Sequence, residues 1–334
     1  MTAGTPPIGA ESRPAARATR PGATRPGATR PPRPPERPAH ALRVSAADAL
    51  LALSAVCFGT LPIFGKAAYA AGMNVQTVLA LRFLIAGAIL LALAAARRRP
   101  LPPPRILLAL VGLGAIGYFG QSAAYFNSLR YVPAAVTSIL LYTYPAIVVL
   151  LSRPLYRTPL GPGRLAAVAL ALAGCFLVAN PSGGLRWEGV ALGLASALVY
   201  SGYILAGKRV VTATDPLLAT GIISTSAGLA YLAFALPALT MPHTVGATAA
   251  VGGLAVVATV IAAAAFLAGL QRTDPGRASL ISTLEPVSTA ALAALILGER
   301  LGPGQLAGGA LVLLAVVLVA RTQTGAAAPA MPGS

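Results

Sequence analysis

The chain has 334 residues, of which 56% are hydrophobic and only 10% are charged, and its mean hydropathy is +0.76. Soluble domains carry roughly a quarter charged residues, so this composition excludes a soluble globular protein and indicates a lipid bilayer as the solvent. The net charge of +17 would be compatible with nucleic-acid binding, but eight of the 25 basic residues lie in the first 46 positions. There they alternate with proline and glycine, which argues against a folded nucleic-acid-binding surface.

Residues 1–44 are predicted to form a disordered, Pro/Arg-rich cytoplasmic tail, because they contain almost no apolar residues to bury. No apolar segment follows Met1, so the tail does not resemble a secretory signal peptide. It could bind anionic lipid headgroups, but a solvated tail that reinforces orientation is the simpler interpretation. Residues 322–334 are predicted to be a flexible C-terminal tail.

The rest of the chain divides into ten apolar segments. A spanning helix needs about 20 predominantly apolar residues, and breaks rich in Gly, Pro and Arg separate the segments, which leaves no room for a soluble domain. Cys57 and Cys175 lie inside these segments, which argues against a disulfide framework or a thiolate metal site. The predicted spans are 47–64, 75–95, 106–127, 134–151, 165–179, 189–206, 217–236, 248–270, 278–297 and 305–320.

The distribution of Lys and Arg predicts the orientation, since cytoplasmic loops are enriched in these residues. With the N-terminus placed in the cytoplasm, 13 basic residues fall on the cytoplasmic side, without counting the far tail, and four on the opposite side. Both termini are therefore predicted to be cytoplasmic, in the inner membrane of a bacterium. The 13 are Arg43, Arg97, Arg98, Arg99, Arg105, Arg153, Arg157, Arg164, Lys208, Arg209, Arg272, Arg277 and Arg321; the four are Lys66, Arg130, Arg186 and Arg300.

The sequence contains an internal repeat. LGPGRL at 160–165 recurs as LGPGQL at 301–306, a shift of 141 residues that also places Pro145 on Pro286, and Gly65-Lys66 recurs 142 residues later. Each repeat, 45–180 and 186–321, holds five helices. An odd number of helices forces the second repeat to enter the membrane from the opposite side, so the fold is predicted to be an all-α bundle of two inverted five-helix repeats.

Several short motifs carry a family resemblance. Arg82-Phe83, SLRY at 128–131, a proline-bearing fourth span, LEPV at 284–287 and LGERL at 297–301 resemble, in this order, the EamA-type drug/metabolite transporters over residues 45–321. The resemblance implies a ten-helix exporter or permease whose central cavity is lined by both halves and carries amino acids, related metabolites or drugs. One departure is that Arg157-Thr158-Pro159 replaces the family's Gly-Glu-Arg turn in the first repeat.

Glu285 is the strongest candidate for mechanism, because it is the only acidic residue in the interior of a predicted span, whereas Asp48 lies at the very start of the first. A charge at the bilayer centre costs about 2.5–3.5 kcal/mol on insertion scales, so this carboxylate should face the protein interior. Ser282 and Thr289 would share its helical face, and Pro286 leaves the Ser282 carbonyl without its usual donor. Glu285 is either a ligand or proton site, since burial favours the protonated form of a carboxylate, or a structural group paired with Arg82 or a hydroxyl.

Other polar residues could line a substrate or ion pathway, although each also suits interhelical packing. Arg82 could anchor a substrate carboxylate, but a structural role is favoured, and Lys66 is expected to extend its amine to the membrane surface. The paired Pro145 and Pro286 are predicted to kink their helices. The further candidates are Tyr118, Gln121 or its neighbour Ser122, Tyr125, Ser138, Tyr142 and Tyr200.

Three functions remain open. A secondary transporter, with proton coupling through Glu285 as one option, is favoured over a membrane-embedded enzyme and over a lipid flippase or membrane scaffold. His40 and His243 lie outside the spans and one acid cannot form an acid/base pair, which argues against catalysis. No GxxxxGK[ST] loop is present, so ATP-driven transport is not expected. The expected partners are a small-molecule substrate and the bilayer, with no cofactor, metal or nucleic acid; the sequence does not decide between a monomer and a homodimer.

Overall fold

A computed structural model describes residues 45–156, 161–179, 185–211, 213–273 and 275–324. The predicted N-terminal tail, the turn Arg157-Thr158-Pro159 and residues 325–334 lie outside this described part of the chain. The final helix continues to Thr324, which is three residues beyond the predicted end of the second repeat at residue 321.

The described residues contain ten helical segments that are long and apolar enough to cross a membrane, which confirms the predicted number. Exposed leucines and phenylalanines cover the outer surface of the bundle, as a lipid environment requires. The segments of the first half are Ala46–Ala70, Val75–Ala96, Pro104–Ser128, Ala134–Leu155 and Pro162–Ala179. Those of the second half are Trp187–Lys208, Pro216–Ala238, Val245–Leu270, Arg277–Leu297 and Pro303–Arg321.

Several helices begin where the local sequence provides an acceptor for the free N–H groups of the first turn. Ser45 and Asp48 form a reciprocal capping box at the start of the first span. The side chains of Asn74, Asp215 and Thr244 accept hydrogen bonds from backbone N–H groups at the starts of the second, seventh and eighth spans. These short polar side chains therefore define where the apolar segments enter the membrane.

Three spans are interrupted shortly before a proline. The fourth span consists of the helices Ala134–Leu141 and Tyr144–Tyr156, with Pro145 following the break, and the ninth consists of Pro275–Ser282 and Leu284–Leu297, with Pro286 following. The first span is also interrupted, into Ala46–Gly59 and Leu61–Ala70, which the sequence analysis did not anticipate. Because proline lacks the N–H that would bond to the carbonyl four residues earlier, each break leaves backbone groups that other elements can contact.

The third and eighth spans each contain a short π-helical segment, Leu113–Tyr118 and Val256–Ile261. These two spans are equivalent in the repeat, so the same local widening occurs in both halves. Segments of this type are rare and frequently lie at functional sites. The remaining parts of these spans are Pro104–Gly112, Phe119–Ser128, Val245–Ala255 and Ala262–Leu270, and the sixth span is one uninterrupted helix, Trp187–Val211.

Equivalent spans of the two halves pack against each other, as two inverted repeats require. The second packs along the seventh and the fifth along the tenth. At the crossing of the fifth and tenth spans, a Cβ added to Gly174 would lie 2.7 Å from the Gly308 carbonyl oxygen, and one added to Gly308 would lie 2.6 Å from the Gly174 carbonyl oxygen. Glycine at both positions lets the backbones approach this closely, as small residues do at membrane helix interfaces.

Candidate functional site

A central cavity of about 400 Å³ lies among the spans of both halves. Its walls come from the first, second, third, fourth, sixth, eighth and ninth spans, and it contains the breaks in the fourth and ninth. Most of the residues proposed from the sequence line it together: Arg82, Tyr118, Gln121, Tyr125, Tyr142, Tyr200, Ser282 and Glu285. The tertiary structure therefore brings polar groups from five different spans to one place.

Glu285 lies in the first turn of the second helix of the ninth span, directly after the break at Thr283. The positive end of this helix's dipole favours a negative side chain there. Its Oε2 atom lies 2.9 Å from the Tyr142 hydroxyl of the fourth span, which also donates to the Ser282 carbonyl at 2.7 Å. Pro286 cannot donate to that carbonyl, so Tyr142 supplies the missing hydrogen bond from another span.

Tyrosine rings surround Glu285 and continue along one wall of the cavity. Tyr125, Tyr142, Tyr144 and Tyr200 are all close enough to interact electrostatically with the Glu285 carboxylate. The Tyr144 and Tyr200 ring centroids are 4.9 Å apart in an edge-to-face arrangement. An acidic group among aromatic faces is an environment that binds ammonium groups through charge pairing and cation–π interactions.

Arg82 is almost fully buried, with 2% of its surface exposed, in the wall contributed by the second span. Its Nε donates to the Thr259 hydroxyl at 2.9 Å, and its guanidinium lies over the Phe83 and Phe126 rings at 4.6 and 5.4 Å from their centroids. No ion pair joins Arg82 to a carboxylate within the residues that the structure describes, so the considered pairing with Glu285 is not formed there. The guanidinium is held by aromatic faces and a hydroxyl, and its charge is not neutralised by a neighbouring acid.

Both π-helical segments meet at Arg82. Thr259 lies within Val256–Ile261 and donates to the Leu254 carbonyl at 2.7 Å, while its oxygen accepts from Arg82. Tyr118 ends the other π segment, is within hydrogen-bond reach of Arg82, and has its ring centroid 4.9 Å from that of Phe83. The widened backbone of each segment thus presents one side chain to the same guanidinium.

Two candidates from the sequence lie outside the cavity lining. Ser138 is buried in the fourth span, and Thr289 is buried against the first span, where its hydroxyl donates to the Gly59 carbonyl at 3.2 Å. Ser282 lies before the break at Thr283, whereas Glu285 and Thr289 lie four residues apart in the helix that follows it. Glu285 and Ser282 nevertheless both line the cavity, and Thr289 contacts the first span instead.

The sequence analysis missed several residues in the lining, including Ser54, Tyr144 and Phe266. For Tyr144 a signal existed, because the 141-residue repeat places it on Glu285. The aromatic and hydroxyl residues of the first and eighth spans carry no such signal. Within the described residues, no cluster of His, Cys, Asp and Glu has an arrangement that could hold a metal ion.

Known proteins resemble this chain over most of its length. It is 29% identical over 284 residues to the transporter YcbK of Bacillus subtilis strain 168, which covers 80% of this chain and 90% of the relative. It is 27% identical over 282 residues to the inner membrane transporter YedA of Escherichia coli K12, covering 81% and 91%. A Salmonella typhimurium relative, named a probable amino-acid metabolite efflux pump, is 28% identical over 222 residues, covering 62% and 74%.

The fold also occurs in a solved crystal structure, which matches with a TM-score of 0.60 at 22% identity and covers 83% of this chain and 98% of the other. The sequence matches the EamA-like transporter family twice, over residues 45–180 and 187–321, one match for each repeat. With ten candidate membrane-spanning helices in the described part of the chain, a central cavity between the two halves and one family domain in each half, this multi-pass membrane protein belongs to the EamA-like transporter family.

Proposed function

We propose that this transporter is a secondary exporter of small zwitterionic metabolites of the amino-acid class, working by alternating access across a bacterial inner membrane. The observation that carries the proposal is the presence, in one cavity, of a buried arginine that has no carboxylate partner among the described residues and a glutamate surrounded by tyrosines. A substrate carboxylate would pair with Arg82 and a substrate ammonium with Glu285. The Salmonella relative's name supports the substrate class.

The positions of the two charged groups suit a small substrate. Arg82 of the second span and Glu285 of the ninth span line the same cavity. Tyr125 is close enough to interact electrostatically with both. A cavity of about 400 Å³ is also in the size range of sites for small molecules.

The inverted repeats support alternating access. Two halves with equivalent backbones and opposite orientation can exchange conformations, so that the cavity opens to one side and then to the other. The breaks beside Pro145 and Pro286 provide flexible points in equivalent spans. We place both termini in the cytoplasm on the strength of the basic residues in the loops.

Glu285 would couple transport to protons. The Tyr142 hydroxyl has one proton, but two acceptors lie near it, the Ser282 carbonyl and the Glu285 carboxylate. When Glu285 is protonated it can donate to the Tyr142 oxygen, and Tyr142 can then donate to Ser282 without competition. A substrate ammonium and a proton would compete for the same carboxylate, so an inward proton gradient would drive export.

Exchange in proteoliposomes tests this proposal. Proteoliposomes are loaded with a labelled neutral amino acid, and one of three compounds is added outside. These are the same amino acid, its methyl ester, which lacks the carboxylate, and the corresponding 2-oxo acid, which lacks the ammonium. We expect exchange with the complete zwitterion only. Equal exchange with all three, or lipid scrambling without metabolite flux, would contradict it.

The arginine part of the proposal has a matched control. Arg82→Gln should remove exchange of the amino acid, because the substrate carboxylate loses its partner. Arg186→Gln removes an arginine that is exposed and paired with Glu188 outside the cavity, and should leave exchange unchanged. Equal losses in both variants would assign the effect to folding or insertion.

A further inference from the structure

The first and ninth spans are held together along their length. At the end predicted to be cytoplasmic, Arg277 donates to the Asp48 carboxylate through Nε and Nη2, each at 2.7 Å. In the middle, a Cβ added to Gly59 would lie 2.9 Å from the Ser288 Cβ, so the two backbones are in close contact. The two spans therefore form one packed pair that contacts the fourth span as a unit.

Glu299, directly after the ninth span, joins this pair to the fourth span at the opposite end. Its Oε1 accepts from Lys66 of the first span at 2.5 Å, and its Oε2 accepts from the backbone N–H of Ala134 at 2.8 Å. Ala134 is the first residue of the fourth span, whose N-cap, Pro133, has no side chain that can accept a hydrogen bond. A carboxylate from the other repeat therefore occupies the capping position, where the helix dipole favours a negative charge.

The partly buried Glu299 side chain, 13% exposed, closes the cavity at this end together with an aromatic wall. Phe126 lines the central cavity, and its carbonyl accepts from the Tyr69 hydroxyl at 3.0 Å. A Cβ added to Gly65 would lie 2.9 Å from the Phe126 ring, so the first span seals directly against it. Beyond this wall lies a separate polar vestibule of about 680 Å³, lined in part by Tyr69 and Arg130.

The cytoplasmic end is arranged differently. There the lining of the central cavity extends to Leu270 and Ser279, close to Arg277, and Ser279 is exposed. The ion pair between Asp48 and Arg277 joins the first span to the ninth. The cavity can therefore approach the cytoplasmic surface without loss of that ion pair, whereas access from the vestibule requires the fourth span to leave Glu299.

We propose that Glu299 is the outer gate of the transport path: it holds the start of the fourth span against the paired first and ninth spans and must release Ala134 for the cavity to open outward. This inference rests on the proposed alternating access. Only the second repeat can act in this way, because the equivalent position in the first repeat is Thr158. Threonine has no negative charge, so Thr158 cannot pair with a lysine and cap a helix at the same time, as the Glu299 carboxylate does.

The test measures access to the cavity from outside. A cysteine introduced by Ser122→Cys in the cavity lining is labelled in intact cells by a membrane-impermeant thiol reagent, and labelling of the chain without this substitution is subtracted. We expect Glu299→Ala to raise the outside labelling rate at least about tenfold, since a charge-assisted contact is lost. Glu299→Gln keeps an acceptor for the Ala134 N–H but loses the negative charge, so it should raise the outside labelling rate less than Glu299→Ala does.

Two further variants separate the contributions. The double change Lys66→Glu with Glu299→Lys restores an ion pair but leaves no acceptor at position 299 for the Ala134 N–H. Labelling from outside should therefore stay fast. A return to the wild-type labelling rate would overturn the role of the fourth span. Glu188→Gln, which breaks an exposed ion pair on the same predicted face, should not change labelling. An unchanged rate in Glu299→Ala, with the protein present in the membrane at the wild-type level, would overturn the gate.

Failure of this inference can be told apart from failure of the proposed function. The labelling rate requires no substrate, so a gate that responds as expected, together with no amino-acid exchange, would overturn only the substrate class. Normal exchange with no effect of Glu299 on labelling would overturn only the gate. Reporter fusions at both termini show which face is outside, and external termini would overturn the assignment of Glu299 to the outer face.

Discussion

The fourth and ninth spans occupy equivalent places in the two repeats and share a broken backbone, but their chemistry differs. Each is interrupted just before a proline, and the residue preceding that proline is Tyr144 in the fourth span and Glu285 in the ninth. The turn after the ninth span holds Glu299, whereas the equivalent position after the fourth holds Thr158. The two repeats thus share the backbone features that movement requires, while the acidic groups belong to one of them.

A physical reason for this asymmetry lies in the cost of buried charge. A second acid at position 144 would face Glu285 across the same cavity, and like charges in a region of low dielectric destabilise each other. In the proposed function, tyrosine at that position instead supplies an aromatic face for the substrate cation. Each repeat would then contribute a different part of the proposed site.

The largest expected effect comes from removing the acid that distinguishes the ninth span. Glu285→Gln should lower proton-driven exchange by at least about 30-fold, because loss of a buried charged partner costs about 2 kcal/mol or more, while membrane insertion remains intact. Exchange in proteoliposomes across a range of pH measures it, with Glu188→Gln as the matched control. Flux that is unchanged at every pH would assign the carboxylate to structure.

The next prediction concerns a feature that both halves share, the close contact of the fifth and tenth spans. Gly174→Val should lower stability by about 1–3 kcal/mol, since the new side chain would overlap the Gly308 carbonyl. Gly202→Val, at a position with open space around it, should change it little. Thermal unfolding in detergent compares the stability of the two variants. Equal stability would show that the fifth and tenth spans can move apart without a cost in free energy.

The link between the fourth and ninth spans should have a moderate effect. Tyr142→Phe removes the donor to the Ser282 carbonyl, so we expect a loss of about 1 kcal/mol in stability and a change in the pH dependence of exchange. Tyr144→Phe keeps the ring and removes a hydroxyl that has no such contact among the described hydrogen bonds. A similar pH profile in both variants would contradict the proposed proton link through Tyr142.

The smallest effect is expected at the break that occurs in the first span but not in the sixth. Pro62 lies in the first turn of its helix, a position that proline occupies without strain. Pro62→Ala should therefore change stability by less than about 0.5 kcal/mol. Thermal unfolding checks this, and a loss of 2 kcal/mol would show that the proline itself maintains the break.

Much of this architecture could be predicted because it depends on local composition. The ten spans follow from apolar length, the inverted repeat from the 141-residue shift, and the candidate role of Glu285 from its position in an apolar segment. The π-helical segments and the break at Thr60 could not be predicted, because they depend on how neighbouring spans satisfy the backbone. The placement of Thr289 against the first span is also a tertiary feature, since it depends on how the first and ninth spans pack together.

The sequence by itself determined that this chain spans the membrane ten times in two inverted halves, because the bilayer demands apolar segments of a set length with their backbone hydrogen bonds satisfied internally. Only the tertiary structure decided the partners of the few charged side chains. Lys66 was expected to extend to the membrane surface, but it pairs with Glu299, which lies 233 positions away. A charged side chain pairs with whichever oppositely charged group the packing brings within reach, and the distance between the two residues in the sequence does not predict that pairing.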